Sequence, residues 1–273
     1  MDTGLRPIKL QKAQFEKISQ LVYRLTGINL HSGKYELVKA RLLKRLRVLG
    51  LENFDVYMEY LESNRSDGEL MSMIEAMTTN KTNFFREPHH FDYLRRQILP
   101  AVKNRRIRIW SAGCSSGEEP YSVAITLNEA VQDHILWDLG ILATDLSNRV
   151  LALARKGVYD TKSLQDVPPL LISKYLKCIE TNPVRRYQVT EGLRRLVHFA
   201  RLNLMGEWPM RGTFDVIFCR NVMIYFDQPT REQLVNRFWK LLRPGGHLFI
   251  GHSESLAGSQ HKFSYAEPAI YVK

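Results

Sequence analysis

Between Ile109 and Pro120 the chain reads Ile-Trp-Ser-Ala-Gly-Cys-Ser-Ser-Gly-Glu-Glu-Pro, an apolar segment followed by a turn with Gly113 and Gly117 and then a helix start. A strand that enters a glycine turn before a helix exposes backbone N–H groups to a ligand, and Pro120 suits a first helical turn, where no internal donor is lost. The same glycines would also serve tight packing, so spacing alone leaves both readings open. Glu118 and Glu119 discriminate between ligands. They would repel a phosphate, whereas a ligand carrying an ammonium and a sulfonium tolerates them. Asp145 closes a second apolar segment (Leu142-Ala143-Thr144-Asp145), where a carboxylate can accept both hydroxyls of a ribose or cap a helix. Asn203 is a third polar group just past an apolar segment; its amide suits an adenine edge or an Asx-turn.

These residues need a scaffold. From Lys9 to Met77 the pattern is helical: Phe15, Ile18, Val22 and Leu25 form one stripe, and Leu37, Leu42, Leu46 and Leu49 a second that Gly50 ends. Further helices are predicted at about Phe54 to Glu62 and Glu69 to Met77. Residues 78–88 read as a connector, after which Phe91, Leu94, Ile98 and Leu99 resume a helical face. Strands at Ile107 to Trp110 and Ile141 to Thr144 then alternate with helices at Glu119 to Ala130 and Asn148 to Lys156, which predicts a parallel sheet. Residues from about Tyr159 to Arg195 break the alternation and read as an insertion. Strands return at Leu196 to Ala200, Phe214 to Cys219 and His247 to Gly251, with a helix from Arg231 to Leu242, and Ala269 to Val272 closes the sheet as an antiparallel strand. No internal repeat is present.

The chain has 273 residues and a formal net charge of +11, which favours an acidic partner, nucleic acid or protein. Cys114, Cys178 and Cys219 are far apart and lack metal-ligand spacing, so reduced thiols and no metal are expected. No apolar run approaches the ~20 residues needed to span a bilayer, and the N-terminus lacks a signal-peptide core, so a cytoplasmic protein without membrane insertion is expected.

Five motifs occur in order: Met77-Thr78-Thr79-Asn80 with Phe84-Phe85-Arg86-Glu87, the Ser111 to Tyr121 stretch, Ala143-Thr144-Asp145, Phe218 to Phe226 (FCRNVMIYF), and Gly251-His252-Ser253-Glu254-Ser255. Together they resemble the chemotaxis receptor (CheR-type) protein-glutamate methyltransferases over nearly the whole chain. The resemblance implies an α/β fold: a Rossmann-like S-adenosylmethionine-dependent methyltransferase domain, an all-helical N-terminal domain and a small inserted antiparallel β-subdomain. On this sequence the helical domain covers residues 1–79, a connector 80–90 and the methyltransferase domain 91–273, with the insertion at about 160–196. The resemblance also assigns cofactor contacts to Asn80, Thr82, Arg86, Glu118, Asp145, Asn203, Leu204, Arg220 and Asn221. Glu118 would hold the methionine ammonium and Asp145 the ribose.

The implied reaction carries a methyl group to glutamate side chains of membrane chemoreceptors and leaves S-adenosylhomocysteine. A glutamate is already ionised at neutral pH, so the step needs no general base, only in-line placement. Arg86 is the candidate to orient the incoming carboxylate and Tyr225 a second donor, against the alternatives of an Arg86–Glu87 surface pair and a core tyrosine. His89 and His90 are read as packing residues. The basic second helix, with Lys34, Arg41, Lys44 and Arg45, is a solvated face by composition; the resemblance makes it the docking surface for an acidic receptor helix. The insertion is similar to the module that in some family members adds a receptor's C-terminal tail as an extra strand. A nucleic-acid methyltransferase is the first rival, but residues 220–223 lack the Asn-Pro-Pro-aromatic loop of amino-methylating DNA enzymes, so no nucleic-acid partner is expected. A non-enzymatic cofactor-binding module is the second.

Overall fold

The computed structural model describes residues 8–63, 67–131 and 136–273. Two compact units emerge, one of residues 1–79 with 225–227 and one of 80–224 with 228–273.

The first unit holds α1 (Lys12–Thr26), α2 (Tyr35–Leu49), α3 (Phe54–Glu62) and α4 (Asp67–Met77). In α1, Phe15, Ile18 and Val22 are buried as expected, but Thr26 rather than Leu25 continues the stripe. Its hydroxyl is satisfied by donating to the Val22 carbonyl at 2.7 Å, which removes the cost of burying it. On α2 the buried positions are Val38, Leu42 and Leu46, while Leu37 is exposed. A strict four-residue spacing through Val38 wins over the longer Leu37 because it keeps the three side chains on one line. Within this unit, Phe226 pairs with Ile28, and the Asn29 amide donates to the Tyr225 carbonyl at 2.8 Å.

The second unit opens with α5 (His89–Tyr93), a π-turn over Leu94–Ile98 and α6 (Leu99–Ala101). There follow β1 (Arg106–Ala112), α7 (Glu118–Ala130), β2 (Asp138–Asp145), α8 (Asn148–Lys156), β3 (Val158–Asp160), α9 (Pro169–Tyr175), β4 (Leu176–Glu180), β5 (Arg186–Val189), α10 (Glu191–Arg195) and β6 (Val197–Arg201). The chain ends with β7 (Phe214–Cys219), α11 (Gln228–Leu241), β8 (Leu242–Ile250), β9 (Ser264–Glu267) and β10 (Ile270–Val272). The main sheet runs β6-β2-β1-β7-β8-β10-β9. The pairings from β6 through β8 are parallel, and β10 returns antiparallel to β8. The sequence places β10 correctly as antiparallel but misses β9, whose residues 264–267 mix Ser, Tyr, Ala and Glu without a clear alternation. The smaller sheet, β3-β5-β4, is antiparallel and occupies the break in the alternation.

From β1 the strand order grows through β2 to β6 on one side and through β7 to β8 on the other, so the direction of winding reverses between β1 and β7. In open α/β sheets the ligand crevice lies outside the carboxyl ends of the strands at such a reversal. β1 is almost entirely buried. Its Trp110 is packed among Trp208, Phe214 and Phe238, and the indole N–H donates to Thr144 Oγ1 at 2.9 Å. Truncating a core aromatic of this kind costs about 3–5 kcal/mol, so the strand that carries the glycine turn is firmly anchored.

Candidate active site

The turn after β1 is held from below: the Gly113 and Cys114 amides both donate to the Thr144 carbonyl, at 2.8 and 2.9 Å. Gly113 has φ +91°, and a Cβ there would lie 2.4 Å from Val222 Cγ2. Glycine is required at this position both by conformation and by the close approach of the segment after β7. Gly117 also has a positive φ and opens α7, whose first turn presents Glu118 and Glu119.

The two carboxylates meet different fates. Glu119 accepts from Ser111 Oγ at 2.7 Å and pairs with Arg220 Nη1 at 3.2 Å. Glu118 is buried, accepts from Ser116 Oγ at 2.7 Å and forms no ion pair among the described residues. Burial pushes its pKa up. A buried carboxylate with no cation beside it is costly unless a ligand supplies one, and this is what a methionine ammonium would do.

Asp145, at the carboxyl end of β2, accepts the Ser115 amide on Oδ2 at 2.9 Å and the Ser147 amide on Oδ1 at 3.0 Å. The cap of α8 is Ser147. The capping role open to Asp145 from sequence therefore falls to its neighbour. Asp145 instead ties the glycine turn to β2. Asn203 Oδ1 accepts the Met205 amide at 3.0 Å, the Asx-turn alternative, and the Leu204 carbonyl accepts from Arg237 at 2.6 Å.

Arg220 emerges as the hub of the strand ends. Its side chain is 2% exposed and donates to Glu87 from Nε and Nη2, to Glu119 from Nη1 and to the Arg86 carbonyl. Through those donors it joins the connector, α7 and β7. Arg86 is left half-buried with one protein acceptor among the described residues, the Lys81 carbonyl at 3.2 Å. The Arg86–Glu87 pair weighed from sequence does not form, because Glu87 turns to Arg220. The connector is shaped for this: Phe85 and Glu87 have positive φ, the Phe85 amide donates to Ser122 Oγ at 2.9 Å, and Phe84 is buried against Tyr159. The Asn80 carbonyl accepts from Ser115 Oγ at 3.0 Å, which brings the connector to the glycine turn, and Thr82 is half-buried close by in sequence. Asn221 takes φ +58° at the end of β7.

His90 is fully buried and stacks on Phe249; burial, then the charge of Arg220, lowers its pKa to about 2, so it stays neutral. It packs as the sequence suggests. Glu87, His90 and His252 bring ligand atoms within 4.8 Å of one another, a grouping that sequence separation concealed. A cation entering there would face the Arg220 guanidinium already seated on Glu87.

In the helical unit, Tyr225 Oη donates to the Thr79 carbonyl at 3.1 Å, and the Lys34 ammonium lies 5.7 Å from its ring centroid. The four basic residues of the docking expectation divide. Lys44 is exposed; Lys34 donates to the Asn29 carbonyl and Arg41 to the Met77 carbonyl and Thr79 Oγ1. Arg45 grips the buried Glu69 through two hydrogen bonds, and Tyr57 donates to the same carboxylate. Arg45, half-buried, serves the fold, because leaving Glu69 buried without a cation would cost about 3–5 kcal/mol.

The winding reversal and the glycine turn mark a ligand crevice at the strand ends, and the match to a SAM-binding family makes the protein an S-adenosylmethionine-dependent methyltransferase. Residues 80–272 match the family described as CheR methyltransferase, SAM binding domain, and residues 13–78 match CheR methyltransferase, all-alpha domain. The chain belongs to the CheR methyltransferase family. It is 44% identical to a probable chemotaxis protein methyltransferase of Rhizobium etli, over 89% of this chain and 93% of that one. Chemotaxis protein methyltransferases of Borreliella burgdorferi and Escherichia coli are 42% and 40% identical, each over 97% of this chain and over 96% and 92% of theirs.

Proposed function

We propose that the protein methylates glutamate γ-carboxylates on the helical signalling domain of membrane chemoreceptors, giving glutamate methyl esters and S-adenosylhomocysteine. The observation that carries this reading is Arg86, a half-buried guanidinium in the connector whose carboxylate neighbour is engaged elsewhere. S-adenosylmethionine supplies an electrophilic methyl group on a positively charged sulfur. Glu118 would hold the ammonium, Asp145 the ribose hydroxyls, and Asn80, Thr82, Arg86, Asn203, Leu204, Arg220 and Asn221 would line the remainder. Arg86 orients the incoming carboxylate by charge-assisted hydrogen bonds. With that cofactor bound, a carboxylate oxygen would take the methyl group and the electron pair of the S–C bond would stay on sulfur. No proton moves, so no general base and no metal is called for. Tyr225 is the proposed second donor, a role that would require its hydroxyl to exchange the Thr79 carbonyl for the acceptor.

For docking, Lys44, Lys34 and Arg41 support attraction of an acidic receptor helix, and Arg45 holds the helix that presents them. β4 is an edge strand of the small sheet and carries exposed Lys177 and Cys178, so a receptor tail can be added there by backbone pairing. Among the described residues no helix is long and apolar enough to cross a membrane. The enzyme would meet its receptor from the cytoplasm. Incubation with receptor-containing membranes and methyl-labelled cofactor, followed by mild alkali, tests the product. Volatile labelled methanol is expected from an ester; label that stays on protein, as an N-methyl group would, overturns the reading.

A further inference from the structure

Of the five motifs, the one spanning residues 251–255 has no role in the chemistry above. Its Glu254 sits half-buried beyond the carboxyl end of β8, with no cation partner among the described residues. It is surrounded by backbone donors instead. Oε2 accepts the Gly251 amide at 2.6 Å and the Asn221 amide at 2.9 Å, and Oε1 accepts the Ile224 amide at 3.2 Å.

Two of those amides belong to the turn after β7, and that turn is wedged. On one side a Cβ at Gly251 would lie 2.5 Å from Asn221 Nδ2 and 2.9 Å from its backbone nitrogen, so glycine alone lets the turn come this close. On the other side Val222 lies over Gly113, the first glycine of the cofactor turn, so closely that a Cβ there would be 2.4 Å from its Cγ2. Asn221 has φ +58°, a conformation that costs energy in a non-glycine residue and persists only where its surroundings impose it. A carboxylate that collects the amides on both sides of Val222 is such a constraint.

We infer that Glu254 is a positioning residue for the cofactor: it clamps the Asn221–Ile224 turn so that Val222 sets the place of Gly113 and the turn behind it. The inference rests on the cofactor role of the Gly113–Gly117 turn and is independent of which acceptor is methylated. Substitution by glutamine isolates the effect, because its NH2 must face either the Ile224 amide or the Gly251 and Asn221 amides, donor against donor. Val222→Ala withdraws the contact on Gly113 and leaves Glu254 intact.

The protein and the variants Glu254→Gln, Val222→Ala and their double are compared by calorimetry with S-adenosylhomocysteine and by amide hydrogen exchange, well below each melting temperature. Expected are a tenfold or greater loss of affinity in Glu254→Gln, faster exchange at Asn221 and Ile224, a loss in Val222→Ala, and a double variant no weaker than the worse single one. Affinity within twofold of the parent in folded Glu254→Gln, or losses that simply multiply in the double, would overturn the inference. A purely structural Glu254 would lower the melting temperature and leave affinity at lower temperature unchanged. Should Glu254→Gln not fold, unchanged affinity in Val222→Ala overturns it alone.

Discussion

Replacement of Glu118 by glutamine separates cofactor binding from folding, because the two should move in opposite directions. In the free protein Glu118 is buried, has one hydroxyl donor, Ser116, and no ion-pair partner among the described residues. Its folded-state pKa is raised by burial, so between the ordinary carboxylate value and the raised one the folded state binds more protons than the unfolded state. Stability therefore falls as pH rises through that window. Glutamine removes the charge at almost constant volume, so the free variant should melt at or above the parent temperature at pH 7. Affinity should move the other way. Loss of a hydrogen bond to a charged group costs about 1.5–3 kcal/mol, roughly 10- to 150-fold in the dissociation constant for S-adenosylhomocysteine. The parent's affinity should also weaken as pH drops into the raised Glu118 range, a slope that Glu118→Gln should flatten. Calorimetry across pH with thermal melts reads both. A variant that loses stability while keeping parent affinity would refute the assignment of the ammonium to Glu118.

Asp145→Ala should weaken S-adenosylhomocysteine by about 1.5–3 kcal/mol in calorimetry, since it removes an acceptor for ribose and the tie to the Ser115 amide together. Arg86→Ala should depress kcat on the order of 100-fold at saturating cofactor, with poor rescue by lysine, which keeps charge but loses the planar fork; a rate restored by excess cofactor would confine Arg86 to binding. Lys44→Glu should raise the apparent KM for receptor, most visibly at low salt, and leave cofactor affinity unchanged. Arg45→Ala should instead destabilise the protein by about 3–5 kcal/mol in denaturant titration, because Glu69 would be left buried and unpaired.

The parallel sheet and its helices were legible because burial imposes period on sequence: β1, β7 and α8 lie where apolar runs and helical spacing put them. The glycine turn was legible as a shape, and Glu118 as a charge that a phosphate would refuse. What stayed hidden depends on pairings between distant residues. Nothing local in Arg45 distinguishes it from the exposed Lys44 one position earlier; burial of Glu69, which decides its role, is a property of the fold. Arg220 reads as a site residue, yet its partners Glu87 and Glu119 lie far back in the chain, and Glu254 carries no sign that its carboxylate will collect amides from the segment after β7.

The short stretch from Tyr225 to Asp227 has a consequence for the making of the protein. These residues belong to the helical unit, where Phe226 pairs with Ile28, Tyr23 Oη donates to Asp227 Oδ2 at 2.9 Å and Tyr225 donates to the Thr79 carbonyl across 146 positions of sequence. A ribosome adding about 5–20 residues per second needs roughly 7–30 s to cover that distance, so the helical unit, first to leave the tunnel, is also made to wait. Until the last piece arrives, the backbone amide of Asn29 has no carbonyl to meet and Ile28 lacks its bridge partner Phe226. A gene cut after Thr79 would yield two fragments, and the earlier one would lack a part of its own fold encoded in the later.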